Sequence, residues 1–211
     1  MTIMAVPLDD AALVRAAQGG DREALDQLFR RHYDRVHGVC RRITGNDADA
    51  ADATQEAMIA MVRGLDRFDG RASFGTWAYR IATNASLDEL RRRRRRPLVA
   101  GRDHDHGNDH GHDLHEHADP SAGERIEQLG DRQQIDAALA ALAEDFRVPV
   151  VLRDVADLDY AEIAAILDVP VGTVKSRIAR GRGMLASTIS RANGNHDDAS
   201  ERPTPTHDET Q

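Results

Sequence analysis

A single cysteine, Cys40, stands in a chain of 211 residues. It excludes an internal disulfide and any zinc site built from several thiolates. Lysine is as scarce. Lys175 is the one lysine among 28 basic residues, a coding bias that says nothing about fold. No apolar run approaches the roughly 18 residues of a membrane-spanning helix. The start, MTIMAVPLDD, lacks the cationic segment and apolar stretch of a secretion signal. A cytoplasmic protein without membrane insertion is therefore expected. There is no glycine-rich loop of the phosphate-cradling kind and no nucleophile with a base in recognisable spacing. Neither catalysis nor a bound cofactor is expected.

The charge is uneven. The formal net charge is −8, so the protein is not a uniformly basic coat for nucleic acid. Yet residues 91–96 are consecutive arginines, in LRRRRRRP, and residues 170–190 hold Lys175, Arg177, Arg180 and Arg182 with no acid. Acids collect in 44–56 and 101–119. Such asymmetry points to local anion-binding surfaces.

Residues 9–97 read as helical throughout. Asp21 caps a helix whose Leu25, Leu28, Phe29, Val36, Val39 and Ile43 recur at three-to-four spacing and form one buried stripe, with Cys40 on it as filler. TGN at 44–46 stops that helix, and Asp47 starts another that turns Ala50, Ala53, Ala57, Met61 and Leu65 inward. The loop DRFDGRASFGTW leads into a helix lined by Phe74, Trp77, Ile81, Leu87 and Leu90, which runs into the arginines and ends at Pro97. Residues 98–130 hold six of the ten histidines and almost nothing apolar, so a flexible linker is expected there. Residues 131–190 are helical again, with Ile135, Leu139, Leu142, Val148, Val151 and Leu152 as core candidates, and 191–211 read as a disordered tail. The fold class expected is all-α, two small helical domains on a tether.

The second domain carries LDYAEIAAILDVPVGTVKSRIARGRGML. Asp159 and Glu162 have capping-box spacing. Asp168 sits at a tight turn that needs positive φ. Pro170 suits the start of a second helix. Two helices on so short a turn, with Ala164 at their crossing, make a helix-turn-helix. At 100° per residue, Val174 and Ile178 inward leave Thr173, Ser176 and Arg180 outward, flanked by Lys175, Arg177 and Arg182. That layout reads a major groove, with Arg180 fitted to bond guanine at two atoms and the flanking cations near phosphate. The plainer alternative is a solvated basic face on a structural hairpin. Gly181 and Gly183 weaken the helix end.

GTVKSRIARGR, preceded by YAEIAAILDVPV, resembles the −35-reading region of extracytoplasmic-function sigma factors, the compact class of bacterial RNA polymerase sigma subunits. DADAADATQEAMIAMVRGLDRF resembles the core-polymerase-binding helix of that family, and FDGRASFGTWAYRIATNASLDELRRRRR its −10-recognition segment. The resemblance covers residues 10–97, a sigma region 2, and 131–190, a sigma region 4. It implies promoter DNA and core RNA polymerase (β′ clamp and β flap) as partners, an anti-sigma factor in control of a stress or envelope regulon, and no homo-oligomer. It assigns Asp49, Asp52, Gln55 and Glu56 to core binding. It makes the loop from Phe68 to Phe74 the element that captures a flipped base, with Arg71, Ser73 and Asn84 as candidates. Arg91, Arg92, Arg93, Arg94, Arg95 and Arg96 then meet the promoter backbone, though a helix cannot aim all of them one way.

The histidines are the departure from that pattern. His104, His106, His110, His112, His115 and His117 are polar filler in a tether, or a loose metal- or proton-responsive cluster. Metal is not among the expected cofactors. The competing readings are a stand-alone helix-turn-helix regulator, which needs a dimer interface the sequence does not offer, and a His-rich metal-handling protein.

Overall fold

A computed structural model describes residues 9–95 and 122–197. Arg96, Pro97, all six linker histidines and the tail from 198 lie outside the described residues. The helices are α1 Asp10–Gln18, α2 Arg22–Thr44, α3 Asp47–Gly64, α4 Phe74–Arg95, α5 Ala122–Ala141, α6 Glu144–Asp154, α7 Tyr160–Leu167 and α8 Val171–Asp197, with one 3₁₀ turn at Leu65–Arg67. No strand occurs among the described residues.

Caps set the helix starts. The Asp21 carboxylate accepts from the amides of Glu23 and Ala24, satisfying two of the orphan donors at the head of α2. Gly45 ends α2 with φ 82°, a left-handed turn that glycine takes without strain. Asn46, one residue before the expected start, caps α3 by accepting from the Asp49 amide. Leu13, Leu28, Val36, Cys40, Met61 and Phe74 fill the bundle of α1–α4, and Ala53, Ala57, Ala78 and Ala82 let α3 and α4 close in. Burial pushes the Cys40 thiol above its ordinary pKa, despite hydrogen bonds that pull the other way, so it stays protonated filler.

In the second domain Leu139, Leu142, Val148, Val151, Leu152, Leu158, Ile163, Val174 and Ile178 form the core. The same apolar cluster continues into α2 and α4 through Val39, Ile43, Tyr79 and Leu90. The two domains are therefore docked on each other.

Three expectations change. Ile135 is 44% exposed, because the α5 stripe is buried only from Ala138 onward. Helix α5 begins at Ala122, inside the stretch read as linker, because a run rich in Glu, Gln, Arg, Ala and Leu favours helix once Pro120 is passed. Helix α8 continues beyond 190 to Asp197, with Arg191 bonding back to the Ser187 carbonyl.

Helix α8 also passes through both glycines. A Cβ at Gly181 would sit 2.7 Å from Val150 Cγ2 and 3.2 Å from the Phe146 carbonyl oxygen, whereas one at Gly183 would meet nothing within 4 Å. Gly181 is thus the point where α8 presses on α6. Gly181→Ala is expected to destabilise the fold by about 1–3 kcal/mol through overpacking. Gly183→Ala should stabilise it by about 0.5–1 kcal/mol through helix propensity. Thermal melts of the two variants check both signs.

Candidate nucleic-acid and protein-binding surfaces

The helix-turn-helix is built as its sequence demands. Asp159 accepts from the amides of Ala161 (2.7 Å) and Glu162 (2.8 Å), and Glu162 returns a bond to the Asp159 amide at 2.9 Å. Asp168 takes φ 53° at the turn. Val174 and Ile178 are buried, which fixes the rotation of α8. Lys175, Ser176 and Arg180 are exposed, and Thr173 and Arg177 are half-buried. Two of the flanking cations are already engaged. Arg182 makes a two-pronged pair with Asp154, and Arg177 lies 3.2 Å from Asp145. The Asp154 carboxylate raises the Arg182 pKa further, locking its charge. Lys175 lies over the Tyr160 ring at 5.5 Å, with Arg153 5.2 Å from the same centroid. Arg180 makes no ion pair among the described residues and borders a cavity of about 480 Å³ with Met184 and Arg191.

A larger cavity, about 740 Å³, opens between α1 and the loop from Phe68 to Phe74. Gly70 takes φ 72° in that loop. Ser73 and Arg71 both line the cavity. The Ser73 hydroxyl also caps α4, accepting from the Thr76 amide at 3.0 Å. Arg71 is exposed and pairs with Asp69. Below the loop Phe68, Phe74 and Trp77 pack ring against ring, with centroids 5.1 to 6.0 Å apart. Asn84 is not in this cavity. It lies exposed on α4 in a smaller groove with Glu56, Asp88 and Arg92.

Helix α1 adds residues that sequence reading did not single out. The Gln18 side chain donates to the carbonyls of Leu65 and Phe68, both at 2.9 Å, and so ties down the start of the loop. Asp10 bonds Arg31 and His32, each at 2.7 Å. Burial raises the Asp10 pKa, but those bonds outweigh it and hold the carboxyl below its ordinary value. The buried His32 ring meets Phe74 edge-on at 4.9 Å. No local motif marks such pairs, which lie 21 to 50 residues apart.

The arginine run meets the chain's own carboxylates. Arg91 pairs with Asp88 (2.7 Å), Arg92 with Glu89 (2.5 Å), Arg93 with Asp49 (3.0 Å) and Arg94 with Glu144 (2.7 Å), while Arg95 bonds the Arg91 carbonyl. Their side chains stay more than half exposed where they pair. Asp49 is buried between Asn46 and Arg93, whereas Asp52, Gln55 and Glu56 are exposed on α3. Among the described residues no group of His, Cys, Asp and Glu is placed to hold a metal.

Replacing Gln18 by Leu removes both ties to the loop, and each lost hydrogen bond is worth about 0.5–1.5 kcal/mol. Hydrogen exchange should rise at residues 69–73 and stay unchanged in α7 and α8. Unchanged protection in the loop would contradict the role given to Gln18.

The described residues contain no helix long and apolar enough to cross a membrane. Comparison with known proteins places this geometry in a family. The Sigma-70 region 2 family matches residues 28–96, and the Sigma-70, region 4 family matches 132–185. The chain is 38% identical over 188 residues to the ECF RNA polymerase sigma-E factor of Escherichia coli (strain K12), covering 88% of this chain and 97% of that one. It is 36% identical to the ECF RNA polymerase sigma factor SigM of Mycobacterium tuberculosis, covering 87% and 86%. In fold it is similar to the sigma factor RpoE of Bartonella quintana, solved with the anti-sigma factor NepR, with TM-score 0.60, 22% identity and coverage of 79% and 96%. It is similar too to CnrH, solved with the cytosolic domain of CnrY, with TM-score 0.58, 24% identity and coverage of 86% and 97%. The chain belongs to the extracytoplasmic-function sigma factors of bacterial RNA polymerase.

Proposed function

We propose that α8 reads the −35 element, that the α1–loop cavity receives a flipped −10 base, and that exposed α3 docks on the β′ clamp. The observation that carries the reading is the rotation of α8. With Val174 and Ile178 buried, Lys175, Ser176 and Arg180 face outward together, and Arg180 is uncommitted among the described residues. Arg180 and Ser176 address base edges, Thr173 stands at the edge of that face, and Lys175, Arg177 and Arg182 address phosphate. The last two leave Asp145 and Asp154 to do so. Arg71 and Ser73 line the −10 pocket with Gly70 as its close-approach point, while Asn84 acts from the neighbouring groove. Opening the duplex costs a few kcal/mol per unstacked base, which the pocket must offset.

Asp52, Gln55 and Glu56 carry core binding directly, and Asp49 supports them by accepting from the side-chain amide of the α3 cap, Asn46, and holding Arg93. The second domain meets the β flap. An anti-sigma factor restrains the protein, a reading supported by the solved complex of the similar RpoE with the anti-sigma factor NepR, and the genes it serves form a stress or envelope regulon. The domains are read as 10–97 and 131–190, with 98–130 between them and a tail after 190. The protein acts in the cytoplasm, where polymerase is, and is not itself an enzyme.

Run-off transcription with purified core polymerase and host promoter fragments is expected to yield transcripts only when the protein is present. Their aligned start sites would give both elements. Arg180→Ala should cost about 1–3 kcal/mol of discrimination at one −35 position, with binding to core unchanged. No transcripts and no co-elution with core would overturn the reading.

A further inference from the structure

The cavity beside the loop from Phe68 to Phe74 has helix α1 as its second wall, and that wall carries polar groups of its own. Asp10, Val14, Arg15 and Gln18 all line it, at spacings that a helix gathers on one face. Gln18 fixes the approach of α1, because its bonds to the Leu65 and Phe68 carbonyls, both at 2.9 Å, tie the helix to the start of the loop. Arg15 stands three residues earlier, the spacing of neighbours on a helix surface. At about 740 Å³ the cavity falls within the roughly 300–1,000 Å³ usual for sites that take small organic groups.

Nearly every polar side chain around the cavity is committed to the fold. Asp9 caps α1, accepting from the Ala12 amide at 2.7 Å. Asp10 holds Arg31 and His32. Asp69 takes both the amide and the guanidinium of Arg71, and Ser73 caps α4. Arg15 is the exception. It is exposed, and its guanidinium makes no hydrogen bond or ion pair among the described residues, so its whole fork of donors is open to a guest. Its place in the last turn of α1 also suits the helix dipole, a role that any cation fills. The charge around it argues against a phosphate as the guest. Asp9 and Asp69 balance Arg15 and Arg71 in the lining, and Asp10 is matched by Arg31. The cavity therefore lacks the surplus of cations that gathers phosphate. A neutral base edge is what remains for Arg15.

We propose that Arg15 is a specificity-determining residue of the −10 pocket. Its guanidinium bonds the edge of the flipped base and selects one with two adjacent acceptors, guanine through O6 and N7 or cytosine through O2 and N3. A guanidinium donates from two parallel N–H groups, which is why it pairs with guanine at two atoms in a groove. Adenine sets an amine beside N1 and N7, and thymine an N–H between its two oxygens, so neither offers the pair. A flipped base presents its edges without a partner strand, which makes this selection available only in the pocket. The proposal rests on the reading of the cavity as the −10 pocket and adds which bases it takes.

The test uses the full chain assembled with core polymerase, with core alone as background. Single-stranded oligonucleotides with a randomised segment are captured and sequenced for the parent, Arg15→Lys and Arg15→Gln. The parent is expected to restrict one position to guanine or cytosine. Both variants should lose that preference roughly tenfold, as the loss of one two-pronged base contact implies, and keep the preferences at other positions. Lysine preserves the charge, so its failure separates the paired donors from attraction to phosphate or to the helix end. Because Arg15 makes no bond in the fold, thermal melts of both variants should match the parent. The preference retained by either variant would overturn the proposal. So would a uniform fall in capture with every preference intact, which marks a phosphate contact. A parent restricted to adenine or thymine at the position that responds to Arg15 would overturn the choice of base and leave the pocket standing. A parent with no preference at any position would retire the −10 reading of the cavity, and the role of Arg15 with it.

Discussion

Helix α2 is buried on two adjoining faces, and the rest of the structure hangs from it. One stripe, Leu28, Val36 and Cys40, anchors the bundle with α3 and α4. The next, Val39 and Ile43, belongs to the core of the second domain. A buried aliphatic side chain contributes about 1.5–3 kcal/mol, so neither face is a weak attachment. The first stripe holds α3 and α4 in the bundle, with Asp52, Gln55 and Glu56 exposed on α3. The second packs the second domain against the first. A single helix thus contributes to both apolar clusters.

Electrostatics divides along the same line. Exposed ion pairs contribute little, about 0–1 kcal/mol each, so the paired arginines of α4 are not what keeps the fold together. Their weakness suits exchange: a duplex offers a dense line of phosphates, and trading a few carboxylates for them costs little. Arg180 and Lys175 differ, because no carboxylate pairs with them among the described residues. The net charge of −8 and the local basic surfaces are then compatible. Asp88, Glu89, Asp49 and Glu144 are the internal counterions of Arg91, Arg92, Arg93 and Arg94.

Much of this was legible in the sequence. The three-to-four stripe of α2, the alanine face of α3, the Asp159–Glu162 cap and the Asp168 turn are local patterns with local physical causes, and the structure carries them as written. What escaped is long-range. Nothing near Gln18 announces that its amide ties down Leu65 and Phe68, and nothing in six arginines says which carboxylate each will find. Gly181 looked like a weakness in α8 because propensity counts only the helix itself. Its purpose is the approach of Val150 from another element. Composition drew the linker boundary near 130 on histidines and acids, yet the helix-forming run after Pro120 extends α5 back to Ala122. The docking of the two domains was invisible for the same reason. A stripe records that a face is buried and not which domain buries it.

A structure of the chain bound to core polymerase and an open promoter tests the placement of these surfaces most directly. The expected result places α8 in the −35 major groove and the Phe68–Phe74 loop on a flipped −10 base, separated by roughly 85 Å of duplex at ~3.4 Å per base pair. Arg93 and Arg94 would lie on phosphate. A complex with α8 outside the major groove, or with that loop on no base, would contradict it.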